Sequence, residues 1–324
     1  MKMLSIRKIL YLQKAGVLEE HRGQVVEQLK AELPDMELCF ADRAEDVPRG
    51  AEFDAVITPT LPWLPNALAR LSRYGWIHFL SAGVDEIWEM DFEKDVLMTK
   101  SSGVHSNPMS EYAIGAMLYF AKQFGRFREL SARAEWQRTW LEELTNCQLT
   151  ILGLGHVGRA VAERARTFGM SVAGTLHRVR ELPEADRVMP LPDIMEELPR
   201  TDFLVVCLPL TRETKGLVDS SFLGRLKPGA VLIDISRGGI VRYGAVIKAL
   251  NQGILKGAAL DVFEHEPLPA DSPLWRRNDI LITPHVAGTT PFYLKRALSI
   301  FLENYRSYMA GKNLLTPVDA KAGY

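Results

Sequence analysis

The sequence predicts an α/β protein built from two Rossmann-like domains, each with a doubly wound parallel sheet. Residues 149–170 read as an apolar strand, a glycine-rich turn and an amphipathic helix in direct succession. Residues 1–103 alternate strand-like and helix-like segments, and the same alternation runs from 149 to about 284. Because alternating strands and helices build parallel sheets covered by helices, each stretch predicts a sheet of its own.

The glycine-rich turn has the spacing G-x-G-x-x-G at Gly153, Gly155 and Gly158. The first glycine permits a tight turn, the second lets backbone N–H groups approach phosphate oxygens, and the third allows close packing of helix on strand. The positive end of the helix dipole then faces the phosphates. A second strand at 171–176 completes the start of a βαβ unit, which favours dinucleotide binding over a merely structural turn.

The composition is that of an ordinary globular protein. The chain has 324 residues, 47% of them hydrophobic, and its net charge of -1 gives no general attraction to nucleic acid or anionic membranes. Cys39, Cys147 and Cys207 lie far apart and form no metal-ligand pattern, so we expect no metal. Their odd number, together with the lack of a signal-peptide pattern, favours a cytoplasmic protein. No stretch reaches the roughly 18 apolar residues that a membrane span needs.

In the first domain, a turn of small residues follows the alternating strand-like and helix-like segments. The predicted strands and helices of this domain lie at 6–12, 24–32 (helix), 36–40, 55–57, 66–71 (helix) and 76–80. The turn Ser81–Asp85, which contains Ala82, Gly83 and Val84, follows the last of these strands. Open α/β sheets bind ligands at the carboxyl ends of their strands, although simple loop chemistry would also explain this turn.

The sequence predicts a long apolar helix at 110–123 with Ser110 as its N-cap, and its apolar surface predicts an interdomain or subunit contact. The later elements are predicted at 203–208, 220–226 (helix), 230–235, 244–251 (helix), 258–262, 280–283 and about 291–310 (helix). We expect the last helix to return to the first domain. That domain then comprises 1–103 plus 292–324, and the dinucleotide-binding domain comprises 104–291.

The loop after the second strand of the βαβ unit indicates which dinucleotide binds. An acidic residue is expected there when the cofactor is NAD(H), because it accepts hydrogen bonds from the ribose hydroxyls. Thr175 and Leu176 occupy that place instead, and His177, Arg178 and Arg180 follow. Guanidinium groups pair with a 2′-phosphate, so the loop favours NADP(H). A solvated basic loop is the alternative, and NAD(H) is not excluded.

Three later loops each place one polar side chain after an apolar strand: Arg237, Glu266 and His285. The carboxyl ends of parallel strands meet at one edge of the sheet, where the cofactor would also lie. Reduction of a 2-oxo acid requires a cation for the carboxylate, a proton donor for the carbonyl oxygen and a carboxylate that orients the donor. Arg237 can bind the carboxylate, His285 can act as general acid or base, and Glu266 can orient the imidazole.

Four motifs in order resemble the signatures of the D-isomer-specific 2-hydroxyacid dehydrogenases. They are GLGHVG, LPLTRETKGLVDSSFLGRLKPGAVLIDISRGGIV, ALDVFEHEPLP and ITPHVAG. The resemblance covers about residues 76–290 and implies two α/β lobes with the active site in the cleft between them. It also implies a homodimer that acts on a small-molecule 2-oxo or 2-hydroxy acid.

By this resemblance, Arg237, Glu266 and His285 fall on the family's catalytic Arg, Glu and His. Ala82, Gly83 and Val84 fall on the loop whose backbone N–H groups bind the substrate carboxylate, together with Arg237 and His285. Asp261 falls on the Asp that contacts the nicotinamide carboxamide. The further cofactor contacts that the resemblance implies are at His156, Val157, Leu208, Pro209, Thr214, Ile235 and His285.

Two features of the sequence indicate which members of this family the chain resembles. Leu176 stands where NAD-using members carry Asp, which agrees with the NADP(H) prediction. The segment SPLW at 272–275 and the tail VDAKAGY are similar to those of bacterial glyoxylate/hydroxypyruvate reductases. The chain ends without the regulatory domain of long phosphoglycerate dehydrogenases, so feedback by serine is not expected.

The sequence therefore predicts an NADPH-dependent reductase of small 2-oxo acids such as glyoxylate or hydroxypyruvate. One alternative within enzymes is a D-2-hydroxyacid dehydrogenase for bulkier acids, since Trp63, Trp88 and Trp275 could shape the cleft or could be ordinary core residues. The alternative from another class is a non-catalytic NAD(P)-sensing binding protein, like the transcriptional corepressors that share this fold. No basic DNA-binding segment accompanies the fold.

Overall fold

The chain divides into two compact units. The first comprises Met1–Val104 and Thr290–Tyr324, and the second comprises His105–Thr289. The computed structural model describes residues 6–83, 87, 90, 92 and 95–318. Each unit is built on a parallel sheet, of five strands in the first unit and seven in the second. The predicted fold class, two doubly wound parallel sheets, is confirmed.

The elements are numbered in chain order. The strands are β1 Lys8–Leu12, β2 Glu37–Ala41, β3 Glu52–Thr58, β4 Arg73–Phe79, β5 Leu97–Lys100, β6 Gln148–Leu152, β7 Ser171–Thr175, β8 Arg187–Met189, β9 Phe203–Val206, β10 Ala230–Asp234, β11 Leu255–Leu260 and β12 Ile280–Ile282. The α-helices are α1 Ala15–Glu32, α2 Leu64–Leu68, α3 Ser106–Ala121, α4 Phe124–Ala132, α5 His156–Thr167, α6 Ser220–Leu223, α7 Tyr243–Asn251 and α8 Tyr293–Met309.

The first unit orders its strands β2-β1-β3-β4-β5. Neighbouring residues of each strand pack on opposite faces, so Ile9 belongs to one hydrophobic cluster and Leu10 to the other. Helices α1 and α8 cover the Ile9 face, where Leu29 and Phe301 are fully buried. Apolar residues on both faces are what a parallel sheet covered by helices requires.

The second unit orders its strands β12-β11-β10-β9-β6-β7-β8. The chain starts at β6, proceeds to β7 and β8 on one side, and then returns to β9 and continues outward on the other side. This reversal between β6 and β9 is a topological switch point, and open α/β sheets bind their ligands at the carboxyl ends of the strands there. Gly153, the first glycine of the predicted phosphate-binding turn, directly follows β6.

Helix α3 differs from its predicted start. It begins at Ser106, and Ser110 is a fully buried residue inside it rather than an N-cap. The hydroxyl of Ser110 donates to the carbonyl oxygens of Ser106 and Asn107 at 2.6 and 2.9 Å. Pro108 fits the first turn because the N–H groups there have no intrahelical partner. Within the described residues, no helix is long and apolar enough to cross a membrane.

Candidate active site

The glycine-rich turn leaves space where a pyrophosphate would approach. Gly153 has a φ of +99°, which a residue with a side chain rarely adopts. A Cβ on Gly158 would lie 2.0 Å from the Gly153 carbonyl oxygen, so this glycine allows helix α5 to pack closely on the turn. A Cβ on Gly155 would meet no atom within 4 Å, and Gly155 immediately precedes the first residue of α5. The turn therefore fits a dinucleotide phosphate at a helix N-terminus.

The residues that would contact the adenosine ribose lie at the end of β7. Thr175 is buried, and its hydroxyl accepts a hydrogen bond from the N–H of Gly153 at 2.9 Å. Leu176 packs against the hydrophobic core. After them, Arg178 and Arg180 are exposed, and neither makes an ion pair with another described residue. The structure thus places two guanidinium groups, and no carboxylate, directly after β7.

The three predicted polar residues follow neighbouring strands. The last residues of these strands are in register along the sheet: Leu152 with Val206, Val206 with Asp234, Asp234 with Leu260 and Leu260 with Ile282. Arg237, Glu266 and His285 lie in the loops after β10, β11 and β12. The structure therefore places all three on the carboxyl edge that also carries the glycine-rich turn.

His285 and Glu266 form a hydrogen-bonded pair. Nδ1 of His285 lies 2.8 Å from Oε2 of Glu266, and both side chains are partly exposed. The other carboxylate oxygen of Glu266, Oε1, accepts the N–H of Phe263 at 2.8 Å. Because both oxygens of the carboxylate are engaged, Glu266 is itself held in place, and it fixes the orientation of the imidazole ring. Nε2 is the ring nitrogen that Glu266 does not engage.

The backbone at His285 is held in an unusual conformation. Its φ is +54°, in the left-handed region, where a residue with a side chain costs on the order of 1 kcal/mol. The N–H of His285 donates to the Asp261 carbonyl oxygen at 2.8 Å. The Asp261 carboxylate accepts the N–H groups of Val286 and Ala287, both at 2.9 Å, and the Thr283 hydroxyl at 2.6 Å. Asp261, which was predicted as a cofactor contact, therefore holds the His285 loop.

His105 contacts the loop that carries His285, and the sequence did not predict this contact. Its Nδ1 lies 3.1 Å from the carbonyl oxygen of Gly288, on the loop that carries His285. Burial lowers the pKa of His105, and its hydrogen bond to the Gly288 carbonyl oxygen partly offsets this effect. His105 precedes α3, far from Gly288 in sequence, and no motif marks it.

Arg237 lies in the loop after β10, three residues beyond the buried carboxyl of Asp234. Its Nη1 donates to the carbonyl oxygen of Ser236 at 2.9 Å, and Ser236 in turn donates its N–H to Oδ1 of Asp234 at 3.1 Å. Asp234 is fully buried, and its second carboxylate oxygen has no hydrogen-bond partner in the described part of the chain. Burial raises the pKa of Asp234 to about 7. This carboxyl therefore keeps its proton to a higher pH than an exposed aspartate does.

The remaining predicted cofactor contacts also follow strand ends. Leu208 and Pro209 lie in the loop after β9, where the Thr214 hydroxyl donates to the Pro209 carbonyl oxygen at 2.6 Å. Ile235 is buried directly after β10. At the start of α5, His156 is exposed and Val157 packs against the core.

In the first unit, Ala82 and Gly83 come shortly after strand β4, following the buried Leu80 and the partly buried Ser81. Both are partly exposed, and neither backbone N–H has an acceptor among the described residues. Val84, the third residue predicted in this loop, lies outside the described residues. In the part of the chain that is described, no group of three or more His, Cys, Asp or Glu side chains could hold a metal ion.

Known proteins similar to this chain agree on one family. The model of the D-isomer specific 2-hydroxyacid dehydrogenase NAD binding domain matches residues 114–287. Glyoxylate/hydroxypyruvate reductase A of Serratia proteamaculans (strain 568) is 30% identical over 274 residues, which cover 82% of this chain and 87% of that protein.

Two solved structures resemble the whole chain. A D-isomer specific 2-hydroxyacid dehydrogenase family protein from Aeromonas salmonicida subsp. salmonicida A449 is 33% identical, with a TM-score of 0.83 over 98% of this chain and 100% of that chain. A D-isomer specific 2-hydroxyacid dehydrogenase from Xanthobacter autotrophicus Py2, solved in complex with NADPH and MES, is 27% identical. Its TM-score is also 0.83, over 99% of this chain and 100% of that chain.

Proposed function

The chain belongs to the family of D-isomer specific 2-hydroxyacid dehydrogenases and is an NAD(P)-dependent oxidoreductase; we propose that it reduces a small 2-oxo acid, of the glyoxylate or hydroxypyruvate type, to the D-2-hydroxy acid with NADPH. The observation that carries the proposal is the His285–Glu266 pair, 2.8 Å apart on the edge that also bears Arg237. The Serratia relative, a glyoxylate/hydroxypyruvate reductase, supports the choice of small acids.

We assign the second unit to the cofactor and the first to the substrate. The turn at Gly153, Gly155 and Gly158 would hold the pyrophosphate, and the strand-end residues Leu208, Pro209, Thr214 and Ile235 would line the site of the nicotinamide half. When bound, the reduced nicotinamide supplies the hydride for the substrate carbonyl carbon. The chain's own residues then have to bind the substrate, orient it and deliver one proton.

His285 delivers that proton. Its Nδ1 faces Glu266, so Nε2 is the nitrogen that donates to the carbonyl oxygen as negative charge develops there. The carboxylate of Glu266 stabilises the positive charge of the imidazolium before transfer. In the reverse direction, the same Nε2 accepts the proton of the 2-hydroxyl group. Fixing the ring through Glu266 and the His285 backbone keeps this nitrogen in one position.

The substrate carboxylate is the other group that has to be bound. Arg237 can bind it through a guanidinium fork, which matches the planar geometry of a carboxylate. The backbone N–H groups of Ala82, Gly83 and Val84 are assigned to the same carboxylate. A 2-oxo acid held at its carboxylate presents the neighbouring carbonyl group to the proton donor, which is the geometric requirement of the reaction.

NADPH is preferred over NADH because of the loop after β7. The exposed Arg178 and Arg180 offer charge-assisted hydrogen bonds to a 2′-phosphate, while Thr175 and Leu176 offer no carboxylate that would repel it. The Xanthobacter relative binds NADPH, which supports the same preference.

We also infer that two copies of the chain form a homodimer through the segment after α4. Residues 133–143 are all exposed, and Trp136 and Trp140 are 94% and 97% exposed. The segment is held by side chains of the second unit, since Gln123 Nε2 donates to the Trp140 carbonyl oxygen at 3.3 Å. Two exposed indoles on a fixed segment favour burial against another protein surface.

Sedimentation of the wild type and of the double variant Trp136→Ser/Trp140→Ser tests the dimer. We expect a wild-type dimer that dissociates more readily in the double variant. Trp275→Ser is the control, because that indole is half-exposed and its Nε1 already donates to Pro269. A wild-type monomer, or equal dimer stability in all three proteins, would contradict the inference.

The experiment that tests the proposed reaction is the initial rate of nicotinamide oxidation with glyoxylate, hydroxypyruvate, pyruvate and phenylpyruvate, each with NADPH and with NADH. We expect the fastest rates for NADPH with glyoxylate or hydroxypyruvate. A preference for phenylpyruvate would contradict the small-acid assignment and favour a dehydrogenase of bulkier acids. NADPH binding without turnover of any acid would favour a sensing protein.

A further inference from the structure

We propose that Tyr293 and Ser101 are positioning residues that orient the backbone N–H groups of Ser81 and Ala82 toward the substrate carboxylate. This inference rests on the proposed function, because it assumes that the loop after β4 binds the carboxylate of a 2-oxo acid, and it adds the N–H group of Ser81 to those assigned to that carboxylate. It concerns only the first unit. Neither Tyr293 nor Ser101 belongs to a motif or to the site residues predicted from the sequence.

Three successive carbonyl groups at the start of the loop are each held by a donor. The carbonyl oxygen of Phe79 accepts the N–H of Ser101 at 3.0 Å and its hydroxyl at 3.1 Å. The carbonyl oxygen of Leu80 accepts the hydroxyl of Tyr293 at 2.5 Å. The carbonyl oxygen of Ser81 accepts the same N–H of Ser101 at 3.1 Å. Phe79, Leu80 and Ser101 are all fully buried, so these bonds are shielded from water.

Fixing a carbonyl group fixes the N–H group that follows it. A trans peptide unit is planar, and its C=O and N–H bonds point in opposite directions. The bond from Tyr293 to the Leu80 carbonyl therefore sets the direction of the Ser81 N–H. The bond from Ser101 to the Ser81 carbonyl sets the direction of the Ala82 N–H in the same way. Neither N–H has an acceptor among the described residues, so both can serve a ligand.

Ser101 is in turn oriented by a chain of buried side chains. The Trp76 indole, which can only donate, gives its N–H to the Thr99 hydroxyl at 2.8 Å. Nδ1 of His78 lies 2.8 Å from the Thr99 hydroxyl, and Nε2 of His78 lies 3.1 Å from the Ser101 hydroxyl. Burial lowers the pKa of His78 to about 3, so the ring is neutral and carries one proton.

The chain of buried side chains has a donor at one end and an acceptor at the other. It begins at an indole, which has no acceptor, and ends at the Phe79 carbonyl, which has no proton. Burial also raises the pKa of Tyr293, which keeps its hydroxyl protonated as a donor.

The substitution Tyr293→Phe tests the positioning role. It keeps the aromatic ring in the core and removes only the hydroxyl that holds the Leu80 carbonyl. A carboxylate contact made equally in the ground state and the transition state affects KM and leaves kcat unchanged. Loss of one buried hydrogen bond predicts a KM for glyoxylate or hydroxypyruvate raised about tenfold, with kcat unchanged within about twofold.

A binding measurement separates positioning from a general loss of structure. Oxamate is an unreactive mimic of a 2-oxo acid, and its Kd for the protein–NADPH complex should rise by the same factor as KM, while the Kd of NADPH stays constant. Tyr305→Phe is the matched control. Tyr305 lies on the same helix, α8, and packs against the same cluster, but its hydroxyl has no hydrogen-bond partner among the described residues. It should behave as wild type.

A second variant keeps the test valid if Tyr293→Phe does not fold. Ser101→Ala removes one donor to the Phe79 carbonyl and the hydroxyl beside Nε2 of His78, but retains the Ser101 N–H. We expect a smaller rise of KM and of the oxamate Kd, about threefold, at constant kcat. If wild type reduces 2-oxo acids and the folded variants keep its KM and oxamate Kd, the positioning role is wrong and the proposed function stands. If wild type neither reduces 2-oxo acids nor binds oxamate, the proposed function fails and the positioning role fails with it.

Discussion

Nδ1 of His285 lies 2.8 Å from Oε2 of Glu266, and the two residues come from loops after neighbouring strands. The relationship is specific because each partner is fixed independently. Glu266 is held by the N–H of Phe263, and the His285 backbone is held in the left-handed region by Asp261. A strained, over-determined backbone at a polar residue is typical of a functional position.

Glu266→Gln should reduce kcat about 10- to 100-fold without weakening NADPH binding. The amide of glutamine can still contact His285. It carries no negative charge, so it does not stabilise the protonated imidazole that donates the proton. Glu264→Gln is the matched control, since Glu264 is an exposed carboxylate two residues away on the same loop. Steady-state kinetics and nucleotide titration provide the measurement, and equal kcat values for the two variants would contradict the assigned role.

Gly155→Ala and Gly158→Ala should separate cofactor binding from folding. A methyl group at Gly155 meets no atom within 4 Å, so this variant should fold normally and bind NADPH at least about tenfold more weakly. At Gly158 a Cβ would lie 2.0 Å from a backbone oxygen, so the free energy of unfolding should fall by about 1–3 kcal/mol.

The control for the glycine substitutions is Gly23→Ala. Gly23 lies inside α1, where a Cβ meets no atom within 4 Å, so this change should leave NADPH binding unaltered and raise stability slightly. Urea unfolding and fluorescence titration are the measurements. Unchanged NADPH affinity in a folded Gly155→Ala protein would show that the pyrophosphate binds elsewhere.

Arg178→Ala should weaken NADPH binding much more than NADH binding, by about tenfold or more against about twofold. The side chain is exposed and has no ion-pair partner among the described residues, so its removal changes little besides a 2′-phosphate contact. Arg225→Ala is the control, because Arg225 is also exposed and the charge change is the same. Equal losses for both cofactors would contradict the role of this loop in selecting NADPH.

Asp234→Asn should remove part of the pH dependence of stability. Burial raises the pKa of Asp234 from its ordinary value of 3.8 to about 7. Between these values the folded protein holds a proton that the unfolded chain has released, so the free energy of unfolding falls as pH rises through this range. Asparagine does not titrate. Urea unfolding at pH 4 and pH 8 should therefore show a smaller decrease in the variant, by up to about 4 kcal/mol. If the free energy of unfolding changed equally with pH in wild type and Asp234→Asn, Asp234 would not be the source of this pH dependence.

The edge that bears Arg237, Glu266 and His285 could be predicted from sequence because each residue follows an apolar strand. Parallel strands of similar length end at the same edge, so strand order alone places these residues there. The sequence does not predict the distance between His285 and Glu266. That distance depends on the Asp261 contacts that hold the loop, which only the folded structure brings together.

His105 and the edge strand β8 could not be predicted, for different reasons. His105 reaches the site through a contact with Gly288, more than 180 positions away along the chain, and no local pattern records such a contact. Strand β8, Arg187–Met189, has three partly buried residues at the end of the sheet, so it lacks the apolar run that marks a central strand. Tyr293 and Ser101 were likewise not predicted. Both bind backbone carbonyl groups, which every residue has, so no pattern of side chains marks these contacts.

The most direct test of the central claim is the reduction of hydroxypyruvate by NADPH, followed by chiral analysis of the glycerate formed, with wild type and His285→Ala in parallel. We expect one D-glycerate for each NADPH oxidised by wild type, and a rate about 100-fold lower in His285→Ala with NADPH binding retained. Formation of L-glycerate, or an undiminished rate in His285→Ala, would contradict the account.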